Sequence, residues 1–459
     1  MSEAANPIKR LGYFIKNMWF VSIRTAKNEI TAIGKGFAFL WHIVADRFVY
    51  YFSKNKKNIK KPEPLFFKGQ TNLTFLLSVI ALLAFGLVML FSASYVESYA
   101  ENSGEGGLGG YQVFVDQLKI AIPGLIIMML ASHVRIDVYR KLAGVLYVFS
   151  LILMVYVLIN PDIKDGKDHI KRWISIFGVS IQPSEIAKLS LIVYMSYIME
   201  KYQKYIQKSA WAIVPNAVPI LIVLALMIPE SHNSGLIIIF AIGASMLFFG
   251  GIKMRWFIFG GVVAVIGLIA LWFYGNHLVE QIELGSYGQS RIAVWIKLLT
   301  NHELTRDERL GEAWQSLQSL YAIGSGGLFG LGFGQSKQKH MYLPEPQNDF
   351  IFAIVCEELG FFRAIIIMAA FVLLVAMGMY IACQAKSKFA AMMAMGLTFK
   401  VGLQALLNFG VVTSTIPNTG ISLPFFSSGG TALLLQLFEM GIILAVARES
   451  RKKGSYALQ

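Results

Sequence analysis

The sequence predicts an all-α integral membrane protein of about ten transmembrane helices, with a large extracytoplasmic loop between the seventh and the eighth. Three observations predict it. Hydrophobic residues make up 56% of the chain and charged residues only 15%, a composition that excludes an ordinary soluble globular domain. The apolar residues gather in runs close to the roughly 20 that a helix needs to cross a bilayer. Basic residues recur on every second connection between those runs, as they do on the cytoplasmic side of membrane proteins.

Taken in order, the predicted spans lie near residues 73–93, 116–132, 142–160, 184–200, 211–229, 234–251, 256–274, 361–384, 389–413 and 429–447. Residues 1–71 hold 13 Lys and Arg against 4 Asp and Glu, a large part of the net charge of +14. That segment is expected to be a cytoplasmic extension, and its stretch "GFAFLWHIVADRFVYYF", interrupted by Asp46 and Arg47, to lie along the membrane surface. The connections "SHVRIDVYRK", "EKYQKYIQK", "GGIKMRW" and "QAKSK" and the tail 449–459 are basic, which predicts both termini inside. No cleavable signal is expected, because the N-terminal stretch is long and basic before the first span.

The membrane domain is thus assigned to 72–448, with a large external loop at 275–360. A connection of that length far exceeds the usual 4–6 residues, and loops of this size usually carry function. Within it, Leu317, Leu320 and Tyr321 have helical apolar spacing. The glycines of "GSGGLFGLGFG" match neither a P-loop nor a dinucleotide fingerprint, so they are expected to serve close backbone packing or a bend. Residues 349–384 form a nearly continuous apolar run too long for one crossing, which predicts a short helix over 349–360 dipping back from the outer surface and then a span. The acids at its mouth, Glu345, Asp349, Glu357 and Glu358, are expected to line a wet cavity. Cys356 and Cys383 sit in apolar surroundings without ligand spacing, and the seven histidines show no metal-binding pairing.

Ionisable groups at membrane depth cost about 2.5–3.5 kcal/mol each on insertion scales and usually face a cavity or a partner. Here Arg172, Glu185, Lys188, Asp307, Lys339, Glu345, Asp349, Glu357 and Glu358 all fall on the predicted outer side. Such a set suits a substrate in the outer leaflet with a polar head and phosphates. Simpler readings stand beside it: Glu185 and Lys188 as an i,i+3 pair at a helix start, and Asp307 as part of a solvated run with Glu303, Arg306, Glu308 and Arg309.

"HIKRWISIFGVSIQPSEIAKLSLI", "GQSKQKHMYLPEPQNDFIFAIVCEELGF" and "PNTGISLPFFSSGGTALL", in that order, resemble the signatures of the SEDS family, the FtsW and RodA type of ten-span peptidoglycan glycosyltransferase. The resemblance covers roughly 72–448, and the last motif is closer to the division and sporulation type. It implies polymerisation of lipid II into β-1,4-linked glycan strands at the bacterial cytoplasmic membrane. In that family an external-loop Asp shortly before a Gly-aromatic-Gln step is regarded as catalytic. Ala313, Trp314 and Gln315 stand at that step, which points to Asp307. The usual Asp-Pro and glycine spacing are missing here, so Glu308 is the alternative base.

The resemblance further implies substrate-binding roles for Arg291, Lys339, Glu345, Asp349 and Glu358, for Arg172, Trp173, Gln182, Ser184, Glu185 and Lys188, and for Thr419 and Ser427. The departing pyrophosphate would need cations, with Arg291, Lys339 and Arg172 as candidates, alongside a divalent ion, Mg or Mn, held by phosphates and one carboxylate. No other cofactor and no nucleic acid is expected. The implied partners are lipid II, a class B penicillin-binding transpeptidase and other division proteins. Competing readings are a flippase for a lipid-linked cell-wall precursor, an elongation-type polymerase, and a scaffold that only docks division proteins.

Overall fold

The computed structural model describes position 35 and residues 71–102, 109–159, 173–176, 179–208, 212–230, 233–262, 294–298, 303–311 and 313–450. The N-terminal extension apart from positions 35 and 71, the tail beyond 450, residues 275–293, 299–302 and 312 of the large loop and the predicted span 256–274 beyond 262 lie outside the described residues, as do Arg172 and Arg291.

The described chain is mostly helical. The order is α1 (Leu73–Asn102), α2 (Gln112–His133), α3 (Ile136–Ile159), a hairpin of β1 (Ile174–Ile176) and β2 (Val179–Ile181), then α4 (Pro183–Lys201), α5 (Gln203–Lys208), α6 (Ile213–Met227) and α7 (Asn233–Gly250). After them come α8 (Arg306–Leu310), α9 (Trp314–Gly326), α10 (Ile351–Cys383), α11 (Lys388–Val412) and α12 (Gly430–Ser450). In a bilayer core every backbone N–H and C=O must be satisfied internally, which is why apolar runs of this length become helices whatever their intrinsic propensity.

Seven described helices are long and apolar enough to cross a membrane, and the apolar 234–250 helix is shorter. Nine of the ten predicted spans correspond to a described helix; the remaining one begins at 255 and is described only to 262. α4 misses the apolar standard because Glu185, Lys188, Glu200 and Lys201 sit in its 19 residues, yet 15 of them are buried. It is an interior helix whose charges are answered by neighbours rather than by lipid. α1 outruns its apolar segment and continues to Asn102. There Tyr95 stacks with Tyr99 at 6.4 Å and meets Tyr111 edge-on at 5.6 Å.

Helices in the bundle approach closely where one of them offers no side chain. A methyl added at Gly441 on α12 would lie 2.4 Å from the Met128 carbonyl oxygen on α2, and one at Gly124 would lie 2.6 Å from Leu437 Cδ1. α10 is broken at Gly360, whose φ of 77° and ψ of 176° are non-helical. Before the break, Ile351 to Glu358 are all buried; after it, Phe361, Phe362, Ile365, Ile366, Val372 and Leu373 are exposed apolar residues of the kind that face lipid. The expected division of the 349–384 run into a short helix and a span therefore falls where the backbone divides it.

Two expectations are corrected. α9 is a helix as its spacing predicts, but it buries Ser316, Gln318, Ser319 and Ala322, while Tyr321 is exposed. The reason is proximity: a methyl on Gly326 would come within 2.1 Å of the Cys356 carbonyl oxygen, so the face against α10 must be small, and Ser319 donates to the Val412 carbonyl oxygen at 2.7 Å. Glu357 and Glu358, expected in a wet cavity, have no exposed surface at all.

Candidate active site

The first motif is built by the hairpin and the start of α4. Ile174 pairs with Ile181 and Ile176 with Val179, so the chain turns back and enters the helix through Gln182, which is extended. Pro183 follows at the first helical position, where a missing N–H costs nothing. Ser184 is buried and its hydroxyl finds no partner among the described residues. Trp173 is half-buried ahead of β1, and Gln182 supplies the carbonyl that receives the Glu185 N–H at 3.1 Å. Glu185 and Lys188 do form an ion pair, but Lys188 is 1% exposed. An ordinary solvated i,i+3 pair does not look like this.

Two residues that sequence reasoning missed complete the cluster. Lys400 on α11 places its Nζ 3.6 Å from Glu185 Oε2 and 2.6 Å from Glu439 Oε1 on α12. Lys400 is 2% exposed and Glu439 fully buried. The available signal was a lone Lys and a lone Glu in the middle of apolar spans, since such groups need a partner.

The third motif folds over this cluster as an irregular loop whose backbone is satisfied by side chains from four helices. Asn408 donates from Nδ2 to the carbonyl oxygens of Asp349 at 2.7 Å and Ile421 at 2.6 Å. Ser234 donates to the Thr419 carbonyl oxygen, while the Thr419 hydroxyl is buried with no partner among the described residues. The Ser427 hydroxyl accepts from Leu423 N at 2.8 Å, Gln436 Oε1 accepts from Phe425 N at 3.2 Å, and Gln117 holds both the Ser427 carbonyl and Gly429 N at 3.3 Å. The loop, Glu185, Lys400, Gln404, Leu433 and Gln436 line a small open cavity of about 30 Å³.

The second motif lies against the same loop. Ser428 N donates to the Gln347 carbonyl oxygen at 2.8 Å. Asp349 is half-buried, and a methyl on Gly420 would meet its Oδ2 at 3.0 Å. Glu345 is exposed, with a left-handed φ of 46°, and accepts from Asn348 at 2.9 Å. Thr431 donates to the Ser180 carbonyl oxygen at 3.1 Å, which ties the third motif to the first. The first and third motifs thus line one cavity, and the second packs against the loop beside it.

The acids at the end of the second motif serve the glycine-rich segment instead. Glu358 accepts from Ser92 Oγ at 2.8 Å, from Lys339 Nζ at 2.9 Å and from Ser336 N at 3.3 Å. Glu357 accepts from Ser336 Oγ at 2.5 Å, Lys337 N at 3.0 Å, Gln338 N at 3.3 Å and Ser325 Oγ at 3.2 Å. Lys339, 5% exposed, also donates to the Gly334 carbonyl oxygen at 2.7 Å. The ammonium of Lys339, a candidate cation for the departing pyrophosphate, is paired with Glu358 inside the protein, because a buried charge must be paired where it lies.

Asp307 stands exposed on α8, and its carboxylate makes no hydrogen bond or ion pair among the described residues. It does not line the cavity. Its neighbour Glu308 is committed: with Thr305 it forms a reciprocal capping box, and it accepts from Lys297 at 2.5 Å. The Lys297 hydrogen bond, helped by the backbone of Thr305, holds the Glu308 carboxyl below the usual range. Glu308 is thus engaged by its neighbours, whereas the Asp307 carboxylate has no partner among the described residues. α8 is braced to the site from two sides. Ala313 N donates to the Glu308 carbonyl oxygen, and Gln315 on α9 accepts from Asn418 at 2.9 Å and donates to the Pro344 carbonyl oxygen at 3.4 Å. Near Lys297, Trp295 donates to the Ser414 carbonyl oxygen at 3.0 Å. Among the described residues no group of three or more His, Cys, Asp or Glu is placed to hold a metal ion.

This arrangement has known counterparts. A family model described as a cell cycle protein, of FtsW, RodA and SpoVE, matches residues 72–452. The chain belongs to that family. Among curated relatives of this FtsW/RodA/SpoVE protein, the probable peptidoglycan glycosyltransferase FtsW of Trichlorobacter lovleyi is 34% identical over 389 residues, 85% of this chain and 95% of the relative. The stage V sporulation protein E of Bacillus subtilis is 34% identical over 385 residues, 84% of this chain and 99% of the relative. Two solved structures share the fold of the FtsW/RodA/SpoVE chain. A chain from a peptidoglycan synthase complex, described as coordinating polymerization and crosslinking, aligns with a TM-score of 0.64 at 23% identity, over 83% of this chain and 99% of its own. RodA of Thermus thermophilus aligns with a TM-score of 0.54 at 21% identity, over 83% and 98%.

Proposed function

We propose that this protein polymerises lipid II into β-1,4-linked glycan strands during cell division, at the outer face of the bacterial cytoplasmic membrane with both termini inside. One observation supports the reading: the first and third family motifs, remote in sequence, line one open cavity with Glu185 and Lys400 in its wall, and the second packs against the same loop, inside a chain whose relatives are named for this activity. In the reaction the 4-hydroxyl oxygen of one lipid-linked sugar attacks the anomeric carbon of another. The bond to the lipid pyrophosphate breaks with its electron pair, and the hydroxyl proton passes to Asp307. An exposed carboxylate without a partner among the described residues, on a short helix tied through α9 to the second and third motifs, suits a base that must reach substrate, worth about 10² to 10⁴ in rate. A divalent ion, Mg or Mn, belongs to this reading as a companion of the substrate phosphates held by one carboxylate.

The partner in this reading is a class B penicillin-binding transpeptidase. Its support is the fold shared with a chain of a peptidoglycan synthase complex. Glycan synthesis from lipid II by the purified protein tests the reading. Asp307→Ala should abolish synthesis and leave the protein folded, whereas Glu308→Gln should weaken α8 and retain synthesis. An Asp307→Ala protein that still polymerises refutes the assignment of the base. Loss of lipid flipping in liposomes with polymerisation absent from the wild type would favour the transporter.

A further inference from the structure

The reaction as proposed uses neither Lys400 nor Glu439. They come from different helices, α11 and α12, and meet at 2.6 Å with almost no exposure. Stability alone is a poor reason for such a pair, because well-packed apolar side chains of similar volume usually do as well or better. Nor is this one fully satisfied: Glu439 Oε2 is buried with no partner among the described residues. The pair's position is more telling. Lys400 lines the cavity, and its Nζ lies 3.6 Å from Glu185 Oε2, while Lys188 pairs with the other oxygen, Oε1. Glu185 is therefore gripped at each oxygen by a different ammonium. Lys188 lies on its own helix and would hold it in any arrangement of the bundle; Lys400 ties it to two further helices.

We propose that Lys400, anchored by Glu439, is a positioning residue that fixes the Glu185 carboxylate in the cavity for substrate binding. Lys400 acts through Glu185 rather than as a receptor for the substrate's phosphates, because its charge is already matched by two carboxylates. Four groups, two of each sign, leave the cluster neutral, so the device orients a carboxylate without building up charge beside an anionic substrate. This inference rests on the glycosyltransferase reading.

The test is steady-state polymerisation by the full chain in detergent with purified lipid II. Removing Lys400 alone would strand the Glu439 carboxylate, so the variant is Lys400→Met with Glu439→Leu, which leaves Glu185 and Lys188 paired. The expected result is a folded, monodisperse protein whose KM for lipid II rises and whose kcat/KM falls about ten- to a hundredfold, the scale of a misplaced binding group. A purely structural role would lower the active fraction and leave KM unchanged, and an unchanged KM overturns the proposal. A second variant, Lys400→Glu with Glu439→Lys, keeps the internal ion pair but sets a carboxylate against Glu185. It should fold and lose polymerisation, and wild-type polymerisation by it would likewise overturn the proposal. Wild type assayed in parallel separates the two levels: inert wild type overturns the glycosyltransferase reading itself, whereas active wild type beside a variant of unchanged KM overturns only the role of Lys400.

Discussion

Replacing Gly360 by alanine should dismantle the junction that places α9, the glycine-rich segment and α10 side by side. Gly360 has φ 77° and ψ 176°, a region essentially reserved for glycine. Forcing another residue into such a region costs about 1–3 kcal/mol. The added methyl would also stand 2.2 Å from Gly330 N, 2.5 Å from Phe329 C and 2.7 Å from the Leu328 carbonyl oxygen. These are backbone atoms, so no side chain can swing aside. Relieving the contact means separating the strands of backbone that are joined by Phe361 N to the Gly327 carbonyl at 2.9 Å and Phe362 N to the Leu328 carbonyl at 3.3 Å. Two hydrogen bonds at about 0.5–1.5 kcal/mol each bring the total to roughly 2–6 kcal/mol. Gly324 on α9 is the control, because a methyl there meets nothing within 4 Å and alanine favours a helix over glycine by about 0.5–1 kcal/mol. Thermal unfolding in detergent, with limited proteolysis of 327–334 as a local readout, compares the two. If Gly360→Ala melts with Gly324→Ala and its glycine-rich segment is no more readily cut, the packing argument is wrong.

Glu358→Gln should be more harmful than Ser92→Ala: the first strands the buried Lys339 ammonium, at about 3–5 kcal/mol, whereas the second removes one hydrogen bond, at about 0.5–1.5 kcal/mol, and unfolding in detergent should rank them in that order. Acid should loosen α8 before the rest of the fold. Glu308 titrates below its usual range when folded, so its contribution is complete above the unfolded-state value of about 4.3 and fades as pH falls through the lower folded value. Hydrogen exchange at the amides of Thr305 and Glu308 between pH 6 and pH 3, about the window these values set, should show that loss, and Glu308→Gln should flatten the dependence. Equal pH dependence in wild type and Glu308→Gln would remove Glu308 from this role.

Much of the site was legible as motifs but not as contacts. The residues of "QPSE..K" pointed to Glu185 and Lys188, and both lie at the cavity or directly behind it. The acids of "CEELG" looked equally suited to a cavity, yet Glu357 and Glu358 fold the segment 325–339 upon itself. A carboxylate near the surface and one capping buried amides read alike in sequence. Lys400 and Glu439 were passed over because each, taken alone, is only an isolated charge in an apolar run.

The amino-acid order by itself determined the helices of this protein, because apolar runs with no water to bind their amides have one way to satisfy them. It also determined the break in the 349–384 run, which is too long to cross once, and the glycines where backbones touch. Which charge meets which was decided only in three dimensions. Lys400 and Glu439, on the consecutive helices α11 and α12, are brought to Glu185 on the much earlier α4, and electrostatic partnership depends on distance through space, about which spacing along the chain is silent.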